Sequence, residues 1–243
     1  MNDLTVSSAP VARVMDIVFP GDTNHHGTLF GGIGLALMDK AAFIAAARHG
    51  QCDFVTGSCE RIDFIAPVLL GDIVEAEGRI TRVGTRSLQV ETVLTAEKPT
   101  TGERSISARG KYNMVAVDKT GVGLPPLVPG PSALDELLFT DLVFPDRTSH
   151  YGSLYGGHAL AAMAKAAFIT ASRQSRTKVV LASCRQVDLH RQVASGELMD
   201  ISASITLTGK SSIVVDVRLS ASPSLTSEPV LCGRGEYIMV CTS

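Results

Sequence analysis

The sequence predicts an α+β protein in which one domain is used twice, each copy a long helix set against an antiparallel sheet. Three observations lead there. The stretch TNHHGTLFGGIGLALMDKAAFIAAAR at residues 23–48 returns as TSHYGSLYGGHALAAMAKAAFITASR at 148–173, with sixteen of twenty-six positions identical. The same offset of 125 residues, Val18 onto Val143, aligns the rest of the halves without a gap: Ser58-Cys59 falls on Ser183-Cys184, Gly84 on Gly209, and RGKYNMV at 109 on RGEYIMV at 234. Each copy reads as strand, loop, helix and four further strands, which keeps a single helix apart from a run of antiparallel strands. A constant register of this length points to duplication, and two copies are too few for a solenoid, so they should pair with each other.

The elements of the first copy follow in order. VARVMDIVF reads as a strand and PGDTNHHG as a turn-rich loop. Residues 32–48 are rich in Ala, Leu and Met, good helix formers whose small members suit a helix pressed against a sheet. FVTGSCERIDFI, DIVEAEGRITRV, SLQVETVLTAE and SISARGKYNMVAV alternate with β-branched residues and read as four strands, punctuated by turns at PVLLGD, VGTR and KPTTGE. Between the copies, residues 118–136 (DKTGVGLPPLVPGPSALDE) hold four prolines and three glycines. Proline fixes φ and donates no ladder bond, so this is an extended linker. The domain bounds are therefore 1–117 and 137–243, and the two sheets can join edge to edge into one continuous sheet, which would also protect the edges.

Bulk properties narrow the function. Of 243 residues 45% are apolar, enough for a sizeable core, and the net charge of −2 is mixed along the chain. No basic surface for nucleic acid is indicated, and no apolar run is long enough to span a membrane. The five cysteines are odd in number and form no CxxC pair. They read as free thiols in a reducing cytoplasm, and no metal site is expected. The N-terminal stretch has no apolar signal core. GxSxG, GxGxxG, P-loop and HExxH patterns are all lacking.

The combination NHHGTLFGG running into LMDKAA, followed by IDFIAPVLLGDIVE and VGTRSLQVETVLTAE, resembles the acyl-CoA thioesterases of the hotdog fold, in the tandem form with two fused hotdogs. The resemblance covers nearly the whole chain outside the linker and the tips. It implies two hotdog domains, each a long central helix wrapped by an antiparallel sheet, paired into a pseudo-dimer with pockets at the interface. It implies hydrolysis of acyl-CoA in fatty acid metabolism, with coenzyme A present as part of the substrate and no separate cofactor. It also implies a homotrimer of double hotdogs. Hotdog hydratases instead place a His five residues after an Asp; here Asp22 would need His at the position of Gly27.

By position, the resemblance assigns Asn24, Gly31 and Asp39 in the first copy, where the second has Ser149, Gly156 and Ala164. The physical reading is compatible. The first N–H groups of a helix lack internal partners and lie at the positive dipole end. A thioester carbonyl oxygen approaching Gly31 or Gly156 is stabilised there as it gains charge. Gly at this place also suits a tight loop-to-helix turn. Asp39 stands in an Ala-, Leu- and Met-rich helix, where an unpaired carboxylate is costly and available as base or nucleophile; a solvent-facing role, or pairing with Lys40, is the plainer alternative. Asn24 can donate its amide to the carbonyl, or cap a turn. His25 and His150 occupy equivalent loop positions and read as structural; His150, beside Ser149, is also a candidate substrate contact. Ser58 aligns with a family position that helps to hold water, or is an ordinary strand serine. The hairpin residues Gly84, Arg86 and Ser87, with Lys210 and Ser211 in the other copy, look like the coenzyme A contact of related proteins, since basic groups suit its phosphates. The expected working site combines Asp39 with Ser149 and Gly156 of the other half.

Overall fold

The computed structural model describes residues 11–117, 123–127, 137–222 and 228–242; of the linker expected at 118–136, only 123–127 lie among them. The first domain runs β1 (Val11–Ile17), α1 (Gly31–Gly50), β2 (Phe54–Phe64), β3 (Ile73–Val83), β4 (Ser87–Glu97) and β5 (Arg104–Ala116). The second repeats the order as β6 (Leu137–Leu142), α2 (Gly156–Ser175), β7 (Lys178–Leu189), β8 (Leu198–Thr208), β9 (Ser212–Ala221) and β10 (Val230–Thr242). Each set of five strands forms its own antiparallel sheet, in the orders β1-β3-β4-β5-β2 and β6-β8-β9-β10-β7. This is the α+β tandem hotdog architecture expected from the sequence.

Each helix is held along one face by its sheet. Met38 and Ile44 of α1 are fully buried with Leu88, Leu94 and Met114; Met163 and Ile169 of α2 are buried with Met199, Ile201 and Leu219. The approach is close enough that a Cβ at Gly78 would lie 2.6 Å from the Ala41 carbonyl oxygen, so the strand facing α1 needs glycine there. Both helices end on a left-handed residue, Gln51 and Arg176, whose N–H closes back on Ala47 and Ser172.

The halves meet through their β1 and β6 sides. Leu142 and Leu198 join the first core, while Met15, Ile17 and Ile73 join the second. Ion pairs tie the seam in reciprocal sets: Lys40 to Asp141 at 2.9 Å and its counterpart Lys165 to Asp16 at 2.6 Å, then Arg48 to Asp200 and its counterpart Arg173 to Glu75. That reciprocity is the signature of a two-fold relation between the copies. The expected continuous sheet does not form within the chain: among the described residues no ladder joins the two sheets. The facing sides of β1 and β6 are filled by interleaved apolar side chains and ion pairs instead of shared backbone bonds. Among the described residues, the outer edges, β2 and β7, therefore carry backbone groups with no partner strand.

Candidate active site

The loop before each helix is built by one residue at its start. The Asn24 side-chain oxygen accepts from the N–H groups of His26 and Thr28, and its amide donates to the Thr28 hydroxyl at 2.9 Å. Ser149 reproduces one of these bonds, accepting from the Tyr151 N–H. Asn24 thus has a structural duty and one amide hydrogen to spare. His25 and His150 are exposed on the loop and stack on their neighbours His26 and Tyr151.

The helix starts are uncapped by side chains; Phe30 and Tyr155 hold the N-cap positions. The first helical donors are Ile33 and Gly34 to the Phe30 carbonyl, and His158 and Ala159 to that of Tyr155. The N–H groups of Gly31, Gly32, Gly156 and Gly157 precede any carbonyl they could reach inside the helix. Gly31 borders a cavity of about 290 Å³ walled by Leu29, Phe64, Ile65, Val68 and Leu94, and Gly156 borders one of about 160 Å³. The substitutions between them change the wall chemistry: Ile65, Ala66 and Pro67 become His190, Arg191 and Gln192. Arg191 is held there by Glu197 at 2.7 Å.

Asp39 is half-buried on α1 and accepts a hydrogen bond from the Thr56 hydroxyl at 2.6 Å. Thr56 lies on β2, the open edge, so Asp39 faces that edge, while its neighbour Lys40 faces the seam with the second domain. The carboxylate also disfavours ionisation of Tyr112, whose hydroxyl burial already pushes well above its ordinary value. Ser58 is not the hydroxyl that bonds Asp39. A bulge at Gly57 breaks the register between Thr56 and Ser58, and Ser58 accepts instead from the Asn113 amide at 2.9 Å. Thr56 is the residue that sequence reasoning missed. The signal was present: Thr56 aligns with Leu181, so Asn24, Asp39 and Thr56 are replaced together in the second copy, by Ser149, Ala164 and Leu181.

Each cavity is lined from one domain alone. The ion pairs of the seam involve Lys40, Arg48, Lys165, Arg173 and Arg176, and none involves Asp39. Within one chain, the acid and the Gly156 helix start are therefore not brought together by the seam. The hairpin tips are exposed: Arg86 and Ser87 follow Gly84, whose N–H donates to the Ser87 carbonyl, and Lys210 and Ser211 follow Gly209 in the same geometry.

The family model of the thioesterase superfamily matches residues 26–103 and 151–227, once per domain. The chain belongs to the thioesterase superfamily. A crystal structure of an acyl-CoA hydrolase from Agrobacterium tumefaciens is similar over 97% of this chain and 96% of its own, with 42% identity and a TM-score of 0.89. An uncharacterized acyl-CoA thioester hydrolase of Bacillus subtilis is 42% identical over 114 residues, 46% of this chain and 66% of its own. The cytosolic acyl coenzyme A thioester hydrolase of Rattus norvegicus is 23% identical over 257 residues, 85% of this chain and 67% of its own. The chain thus spans about two thirds of the length of these two curated relatives. Superfamily membership agrees with the repeat and with both sheets. Among the described residues no helix is long and apolar enough to cross a membrane.

Proposed function

We propose that the protein hydrolyses acyl-CoA thioesters to a fatty acid and coenzyme A, with Asp39 as the general base or nucleophile. The observation that carries this is the Asp39 carboxylate, set in an apolar helix, oriented by Thr56 and presented at an open strand edge. The activities named for the similar chains support it.

In this reading the thioester carbonyl oxygen lies at a Gly156 helix start, with Ser149 beside it. Asp39 takes a proton from water as the hydroxyl adds to the carbonyl carbon. The N–H groups of Gly156 and Gly157 receive the oxyanion, collapse breaks the C–S bond, and the departing coenzyme A thiolate takes the proton held on Asp39. Arg86, Ser87, Lys210 and Ser211 serve the coenzyme A phosphates. The reading extends to a cytoplasmic trimer acting in fatty acid metabolism.

A second reading has one specific support. The roomier apolar cavity lies at Gly31, whose complementary helix carries Ala164 in place of an acid. Such a site holds an acyl chain without cleaving it, and a protein whose sites were all of this kind would be an acyl-CoA binder. Thiol release from a panel of acyl-CoA esters separates the readings. Hydrolase action predicts turnover that falls roughly a hundredfold or more in Asp39→Ala; turnover unchanged by that substitution refutes the assignment.

A further inference from the structure

We propose that Tyr112 is a positioning residue of the Asp39 site: its phenol fixes the turn of α1 that carries the acid, so that the carboxylate stands at one depth beside Thr56. Asp39 follows Leu35 by four residues within α1. In an α-helix the Asp39 N–H therefore points at the Leu35 carbonyl. The Tyr112 hydroxyl donates to that same carbonyl from β5, at 3.3 Å. A carbonyl oxygen has two lone pairs and accepts both bonds. The acid is thus held twice from the sheet. Thr56 on β2 holds the carboxylate itself, at 2.6 Å, and Tyr112 holds the backbone turn behind it.

Both holds come from one part of the sheet. Thr56 is in register with Met114 of β5, and Tyr112, two residues earlier on β5, is in register with Cys59 of β2. Tyr112 and Met114 are 3% and 0% exposed, so neither side chain moves without disturbing the core. Ionisation of the phenol is opposed first by burial and then by the charge of Asp39, which sets the ring within electrostatic reach of the acid. A fixed turn matters because misplacing a reacting group by about 1 Å can cost up to a hundredfold in rate.

The second copy supplies the contrast within the same chain. Tyr237 stands at the equivalent place and is also buried, yet among the described residues its hydroxyl has no partner. The helix it faces carries Ala164 where α1 carries Asp39. Packing of the ring is therefore common to both copies, while the bond from phenol to helix accompanies the acid.

The effect on rate rests on the hydrolase reading; the hold on the acid does not. Tyr112→Phe keeps the ring and removes only the hydroxyl. It is expected to lower kcat roughly three- to tenfold with KM little changed, whereas Tyr237→Phe leaves both at their wild-type values. In an Asp39→Ala background, Tyr112→Phe has no further effect on the residual rate, because the tyrosine acts through the acid. A second readout needs no turnover. The γ-carboxyl ¹³C resonance of Asp39, assigned by its loss in Asp39→Ala, moves in Tyr112→Phe and stays in place in Tyr237→Phe. The proposal is overturned by equal effects of the two tyrosine substitutions on kcat, by a Tyr112→Phe effect that persists without Asp39, or by an Asp39 resonance that does not move. A wild-type protein without turnover, whose Asp39 resonance still responds to Tyr112→Phe, sinks the hydrolase reading and leaves the hold of Tyr112 on the acid standing.

Discussion

Thr56 donates its hydroxyl hydrogen to Asp39 at 2.6 Å, a contact made across from helix α1 to the edge strand β2. A carboxylate accepting such a bond is fixed in rotamer and keeps its second oxygen for substrate or water. Replacing the hydroxyl by a methyl of the same shape frees the carboxylate to swing. Thr56→Val is therefore expected to lower kcat by roughly ten- to a hundredfold, with a smaller change in KM. Circular dichroism and melting temperature should stay near wild type, since the residue is exposed. An unchanged kcat would remove Thr56 from the site.

The three losses of the second copy suggest how to restore it. Ser149→Asn returns an amide donor to the loop that faces the Asp39 site in the proposed arrangement, and should raise its turnover. One missing oxyanion donor is worth roughly a hundred- to a thousandfold, of which Ser149 already supplies a part. Ala164→Asp with Leu181→Thr rebuilds the acid and its positioning hydroxyl opposite Asn24 and Gly31. That variant should hydrolyse acyl-CoA even in an Asp39→Ala background. Absence of any rescue there would count against pairing between unlike halves.

The repeat and the elements were legible in the sequence because periodicity and turn chemistry are local. The reading of residues 32–48 as helix became Gly31–Gly50, and SLQVETVLTAE matches β4 residue for residue. Which edges meet was not legible. Lys40 finds Asp141 and Lys165 finds Asp16, at separations of 101 and 149 positions along the chain; no pattern in either strand announces the pairing. The helix hinted at it only by separating neighbours: Asp39 and Lys40 differ by 100° around the axis and end on opposite sides of the domain. Thr56 escaped notice because threonine on a strand is an ordinary β-former.

The seam between the domains should be sensitive to acid. Burial alone would raise the Glu97 carboxyl, but hydrogen bonds from Arg173 and Arg176 and the field of Arg104 hold it below its ordinary value. Asp141 behaves alike: burial opposes its charge, and Lys40 and Arg147 outweigh burial. A carboxyl lowered by folding contributes stability that is present above its unfolded value, near 4. That stability is lost as pH falls through the lower folded value. Melting temperature should be flat from neutral pH to about 5 and fall steeply below 4. Arg173→Leu removes one of the two cations that bridge Glu75 and Glu97, which are 5% and 3% exposed, and leaves Arg104 and Arg176 beside them. It is expected to cost about 1 to 3 kcal/mol in urea unfolding at pH 7, above the cost of Lys40→Met at its more exposed pair. Equal costs would contradict this account of the seam.

Two equivalent tyrosines make a controlled comparison. Tyr112 on β5 donates its hydroxyl to the Leu35 carbonyl at 3.3 Å. Tyr237, its counterpart on β10, is 2% exposed and its hydroxyl has no partner among the described residues, and burial pushes its ionisation up to about 12. A buried hydroxyl without a partner loses its water bonds for nothing in return. Tyr237→Phe should thus leave stability unchanged or raise it by up to about 1 kcal/mol, whereas Tyr112→Phe should cost about 0.5 to 1.5 kcal/mol. Chemical denaturation at pH 7 reads both. If Tyr237→Phe proved the more damaging of the two, its hydroxyl would have to be bonded inside its own domain, as that of Tyr112 is to Leu35.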